Sequence, residues 1–159
     1  NSYSGYLADI SKWWSENISK DWLDIRSQTY GILQREDTLK EIVKLLGPEA
    51  LPDEEKLILE VARMIKIGIL QQNSFDDVDT YCSPEKQFKL MKLQVDFYNK
   101  GQQALKDGAS LADIRSMDVI SLLLKARMDV KDDEMDKLDK IGNDMEEQFK
   151  SVTGVKVQN

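Results

Sequence analysis

The chain predicts an all-α fold, an irregular bundle of about six helices in one domain, and three features of its residues carry that prediction. Apolar residues recur at spacings of three and four along most of the chain, which is the period of one helix face. Punctuation is sparse, with three prolines and eight glycines in 159 residues, and its clearest signals fall between the periodic segments. No β-hairpin signature, internal repeat or low-complexity tract interrupts the pattern.

The elements follow in order. A first helix is expected from Tyr3 to Glu16, with Tyr6, Leu7, Ile10, Trp13 and Trp14 on one face. Ser19 reads as an N-cap and Asp21 as a first-turn partner of the helix dipole, so a second helix carries Trp22, Ile25, Tyr30 and Leu33. A short third helix from Thr38 to Leu46 uses Leu39, Ile42, Val43 and Leu46, and Gly47-Pro48 stops it. The next begins near Pro52 or Asp53 and buries Leu57, Ile58, Val61, Ile65 and Ile69, followed by a polar loop from Asn73 to Cys82. Ser83-Pro84 is a strong helix start, a hydroxyl cap followed by a proline at the first helical position. That helix carries Phe88, Met91, Val95, Tyr98 and Leu105 until Gly108 ends it. Ser110 with Asp113 caps a helix from Leu111 to about Met128, and a last helix from Asp132 to Val152 carries Met135, Leu138, Ile141, Met145 and Phe149. The domain is expected to span 1–153, with 154–159 a frayed tail.

Composition excludes several function classes. With 22 Lys and Arg against 29 Asp and Glu the net charge is -7, which repels nucleic acid and anionic membranes and favours basic protein surfaces as partners. The absence of histidine removes the commonest general base and the commonest transition-metal ligand together, so triads and zinc sites are excluded from this chain. One cysteine, Cys82, allows no intrachain disulfide and fits a cytosolic setting. The longest strongly apolar run, Val119 to Leu124, is far short of the roughly 18 residues of a membrane span. The remaining carboxylates, lysines and tyrosines form no catalytic pattern, so the chain reads as mechanical or binding.

Three stretches together resemble one family. LPDEEKLILEVARMIKIGILQQNSFDDVDTYCSPEKQ, Leu51 to Gln87, is the most distinctive, above all in its run from Gln71 to Gln87. SYSGYLADISKWW, Ser2 to Trp14, and EIVKLLGPEAL, Glu41 to Leu51, complete it. They resemble the C-terminal helical domain of the catalytic A subunit of archaeal and vacuolar type rotary ATPases, over roughly Ser2 to Ser116. EALPDEE, Glu49 to Glu55, stands where the related β subunit of F-type ATPases has its acidic DELSEED segment, and Phe75 stands at the aromatic position near the adenine. Ile69 replaces the family's usual phenylalanine.

The resemblance implies a part of a longer subunit, cytoplasmic and peripheral to the membrane within a membrane-bound complex. Its implied partners are its own nucleotide-binding domain, the B subunits of a catalytic hexamer and the central rotor stalk, with neither nucleic acid nor direct membrane contact. Mg-ATP or ADP belongs to the parent subunit. This chain contains no phosphate-cradling GxxxxGK[ST] pattern, so no cofactor and no catalytic residue is expected within it. Gln71, Gln72, Asn73 and Phe75 are implied to wall the adenine side of the pocket in the complete subunit; taken alone, Phe75 reads as a loop anchor. Gly47, Pro48, Glu49, Leu51, Pro52, Asp53 and Glu54 are the implied rotor contact; taken alone, the acids read as solvated dipole partners at a helix start. Asp76, Asp77 and Asp79 lack the glycine and distal glutamate of a calcium loop, so no metal site is expected. Cys82 reads as a small buried residue, and Trp13, Trp14 and Trp22 as core. The rival class is a free-standing helical adaptor that binds a partner through its acidic loop or its tryptophans.

Overall fold

The computed structural model describes residues 21–70 and 82–157, together with the isolated positions Gly5 and Lys12. The expected first helix with Trp13 and Trp14, the Ser19 cap and the loop residues 71–81 lie outside the described residues. Among those described the architecture is helical throughout, with no strand. Helix α1 spans Asp21–Leu46 and a 3-10 turn follows at Pro48–Ala50. Helix α2 spans Asp53–Ile65 and passes into a π-helical turn at Lys66–Leu70. Helix α3 spans Pro84–Lys106, α4 Leu111–Arg115, α5 Val119–Asp129 and, after a 3-10 turn at Asp132–Glu134, α6 runs over Asp136–Val157.

Two expected breaks differ from what the structure contains. The second and third helices are one, because the polar run Gln34 to Asp37 contains no glycine or proline and consists mostly of good helix formers. Glu36 within it is buried and accepts a hydrogen bond from Lys66 Nζ at 2.7 Å. Conversely, the helix expected from Leu111 to Met128 is two. Ser116 Oγ donates to Asp113 O at 2.9 Å and competes with the ladder, and the N–H of Val119, starting α5, is accepted by Gln148 Oε1 at 2.9 Å. The last helix extends to Val157, into the stretch read as a tail.

The local signals at α3 hold as read. Ser83 Oγ accepts from the Lys86 N–H at 3.2 Å with Pro84 in the first turn, and Gly108, with φ 99°, follows the helix end. Ser110 caps α4 by accepting from the Asp113 N–H at 3.1 Å.

Helix α3 is the central element, with apolar side chains buried towards several neighbours. It runs antiparallel to α2, as shown by Gln94 reaching Met64 O and by the close approach of Gly101, where a Cβ would lie 2.7 Å from Leu57 Cδ2. It runs parallel to α6, where Phe97 packs on Phe149 with ring centroids 5.3 Å apart. Trp22 of α1 is buried edge-on against Phe88 at 5.8 Å, which places this tryptophan in the core as read. These rings join Leu57, Val61, Met64, Ile65, Met91, Leu123, Leu138 and Met145 in one apolar cluster, and burying such side chains stabilises the fold by about 1.5–3 kcal/mol each.

Candidate functional site

The corner between α1 and α2 is built from backbone. Gly47 takes φ 85°, a value that favours glycine, and its N–H donates to Val43 O at 2.8 Å, closing α1. Pro48 then opens a single 3-10 turn in which the Ala50 N–H donates to Gly47 O at 3.2 Å and the Leu51 N–H to Pro48 O at 3.3 Å. Pro52 supplies a carbonyl that accepts from the N–H groups of Glu55 and Lys56, both at 3.0 Å, and so starts α2. The two prolines limit the backbone freedom of the corner.

Of the seven residues in the sequence-derived rotor set, Pro48, Glu49, Pro52, Asp53 and Glu54 are exposed and Gly47 is half-buried. Leu51 is a correction: it is only 5% exposed, so it anchors the corner from inside and is no part of its outer surface. Leu46, one of the apolar residues expected to carry the third helix, is 72% exposed, and Leu45 beside it is 82% exposed. The last turn of α1 has run past the body of the domain, so the three-and-four spacing continues with nothing to cover it. These two leucines are the residues that sequence reasoning missed, and their only signal was position, directly before the glycine stop.

The charges of the corner are partly spent locally. Glu49 pairs with Lys56 at 3.5 Å while remaining 91% exposed, and Glu55 pairs with Arg35 of α1 at 3.1 Å. Gln102 of α3 donates to Glu54 O at 3.0 Å, tying the first turn of α2 to the central helix. A cleft between α1 and α2, about 510 Å³ and lined by Glu36, Lys40, Val43, Lys44, Leu59, Arg63, Lys66 and Ile67, carries four cations. Each of them has an acid at hand: Lys40 and Lys66 share Glu36, Lys44 meets Glu41 and Arg63 meets Glu60. The cleft is therefore an ion-pair network with an apolar floor, not a free anion site.

The other end of α2 is buried. The π turn contains Gly68, Ile69 and Leu70, all buried, and leads to residues 71–81. Gln71, Gln72, Asn73 and Phe75 therefore lie outside the described residues, as do Asp76, Asp77 and Asp79. Cys82 is 3% exposed, in keeping with its reading as a buried residue. Among the described residues no group of three or more acids, cysteines or histidines could hold a metal. None of the described helices is long and apolar enough to cross a membrane.

The described residues form an all-α domain with an exposed, backbone-stiffened corner between α1 and α2. Comparison with known proteins gives the class its family. Residues 11–115 match the model of the C-terminal domain of V and A type ATP synthase, and the chain belongs to that family. It is 44% identical over 151 residues to the A subunit of the A-type ATP synthase of Methanopyrus kandleri, an alignment covering 95% of this chain and 26% of that protein. It is 46% identical to the corresponding A-type ATP synthase protein of Hyperthermus butylicus, covering 91% of this chain and 24% of the relative. The V-type ATP synthase alpha chain of Halothermothrix orenii is 40% identical, covering 93% and 25% respectively. The chain thus spans about a quarter of the length of the curated relatives it matches. Family membership disfavours the free-standing adaptor.

Proposed function

We propose that this chain is the rotor-coupling C-terminal domain of the catalytic A subunit of an A/V-type rotary ATP synthase or ATPase that moves protons or sodium ions. Nucleotide chemistry, with Mg-ATP or ADP, takes place in a separate nucleotide-binding domain. The domain hangs beneath that one within a hexamer of A and B subunits and presses its α1–α2 corner on the central stalk. The observation that carries this reading is the geometry of α2. Its 13 residues make a strut about 20 Å long, which begins at the exposed corner and leads through the π turn to the segment Gln71–Phe75. A push at one end is transmitted by a rigid helix to the other, where Phe75 and the neighbouring amides wall the adenine.

The corner works by shape. Exposed ion pairs are worth about 0–1 kcal/mol and are screened by salt, and Glu49 already has Lys56 as a partner. Exposed Leu45 and Leu46 with Pro48 and Pro52 offer an apolar, stiff edge instead. In the assembled complex, neutralising Glu49, Asp53 or Glu54 singly is expected to leave ATP-driven rotation nearly intact. Removing three residues from Pro48 to Leu51 shortens the corner and is expected to uncouple ATP turnover from rotation while the helices stay folded. Loss of rotation on a single neutralisation, with rotation retained by the shortened corner, contradicts this reading.

A further inference from the structure

The two chain stems that flank residues 71–81 both rest on α5. The N-terminal stem is the π turn. A Cβ added at Gly68 would lie 3.0 Å from Leu123 O, 3.5 Å from Leu124 Cα and 3.2 Å from Gln94 Nε2, so the turn lies backbone against backbone on the middle of α5. Gln94, itself buried, donates from Nε2 to Met64 O at 3.4 Å, at the shoulder where the α-helical ladder gives way to the π turn. The C-terminal stem is the start of α3. Lys86 is 3% exposed, and its Nζ donates to the carbonyls of Arg127, at 2.8 Å, and of Val130. It is a buried cation seated on the C-terminal end of α5, where the helix dipole favours it. Ser83 Oγ donates to Asp132 Oδ1 at 3.2 Å and Gln87 Nε2 to Cys82 O at 2.8 Å, completing the stem.

Both devices are locally expensive. A π turn is rarer and less regular than the α-helix it interrupts, and a buried ammonium is a costly way to fill space that an apolar side chain could fill. Departures from local preference concentrate where position matters more than stability. Here two of them sit on one helix, one at each stem of a single segment.

We propose that α5 is the platform that sets the position of the nucleotide-side segment, and that Gly68 and Lys86 are positioning residues for nucleotide binding although neither touches the nucleotide. The inference rests on the placement of Gln71–Phe75 beside the base. The test is steady-state hydrolysis of ATP and of GTP by the complete subunit in its assembled complex, comparing Gly68→Ala, Lys86→Met, Phe75→Ala and Phe97→Leu. Phe97 is a core residue whose ring packs on Phe149 of α6, and Phe97→Leu reports a loss of stability. Gly68→Ala adds one methyl group and lifts the turn from α5 even if Lys86→Met fails to assemble. Both positioning variants are expected to raise KM for ATP about tenfold with kcat within about twofold, a loss confined to nucleotide binding. Both should also lower the preference for ATP over GTP, whereas Phe97→Leu lowers thermal stability and leaves that preference in place. If Phe75→Ala raises KM while Gly68→Ala and an assembled Lys86→Met change neither KM nor the preference, the platform is refuted and the adenine placement stands. If Phe75→Ala itself changes nothing, the adenine placement fails and this inference falls with it.

Discussion

The two ends of α2 are built by opposite means. At the α1–α2 corner the shape is held by local main-chain hydrogen bonds between Val43 and Lys56, a positive-φ glycine and two prolines, and one buried side chain, Leu51, secures it. At the π turn the shape is held by tertiary packing: Gly68 against the α5 backbone, Gln94 on Met64 O, and Glu36 on Lys66. The difference teaches how one helix can serve two surfaces. An exposed end keeps its geometry in its own backbone and leaves its side chains free to vary. An end that sets the direction of a following segment borrows its geometry from the rest of the fold and tolerates little change.

The comparison breaks most readily at the buried end. Met64 is fully buried, and Met64→Ala is expected to cost about 2–5 kcal/mol through lost burial and the cavity left behind. Urea denaturation of the chain measures it, and a cost below about 1 kcal/mol would show that the π-turn end is no more tightly packed than the corner. The matching change at the corner is Leu46→Ser, which is expected to alter stability by no more than about 0.5 kcal/mol because the side chain is already in water. Equal losses at the two positions would erase the distinction between them.

The smallest effect belongs to a surface pair near the C-terminal stem. Glu134 is held below its ordinary carboxyl value of 4.5 chiefly by the hydrogen bond from Lys137 and next by the Lys131 N–H. A depressed carboxyl contributes stability above its ordinary value and loses it as pH falls through the lowered one. Lys137 is raised above 10.5, first by its hydrogen bond to Glu134, so its contribution is present below that value and fades as pH rises through the raised one. Lys137 is exposed and Glu134 half-buried at the surface, and the expected readout is a titration curve: the Glu134 carboxyl followed by NMR should move up towards the ordinary range in Lys137→Met. An unchanged curve would assign the shift to the backbone alone.

The parts of the fold legible in the sequence are those whose cause is local. Ser83 with Pro84, Ser110 and Gly108 each act within a turn of their own position, and their elements start or stop where the residues say. The continuity of α1 was not legible, because Glu36 is a polar residue made buriable by Lys66, a residue 30 positions away. The π turn was hidden for a similar reason. Ile67, Gly68 and Ile69 are weak helix formers that still carry an apolar pattern, and only the nearness of α5 gives the turn its form. At the corner the acids were legible and the leucines were not, since periodicity records which face a residue occupies and says nothing of where the neighbouring helix ends. Leu51 shows the converse, a residue assigned outward by its neighbours and turned inward by the fold. The nucleotide-side residues rest on family resemblance alone.

The central claim is that the α1–α2 corner is the part of this domain that meets the rotor. The direct measurement is site-specific photocrosslinking in the assembled complex, with a reactive side chain placed in turn at exposed Leu46 and at exposed Asp133, beyond the opposite end of α2. The account predicts crosslinks from position 46 to the central stalk, with a yield that changes with the bound nucleotide, and none to the stalk from position 133. Stalk crosslinks from position 133, with position 46 reaching only neighbouring A or B subunits, would contradict it.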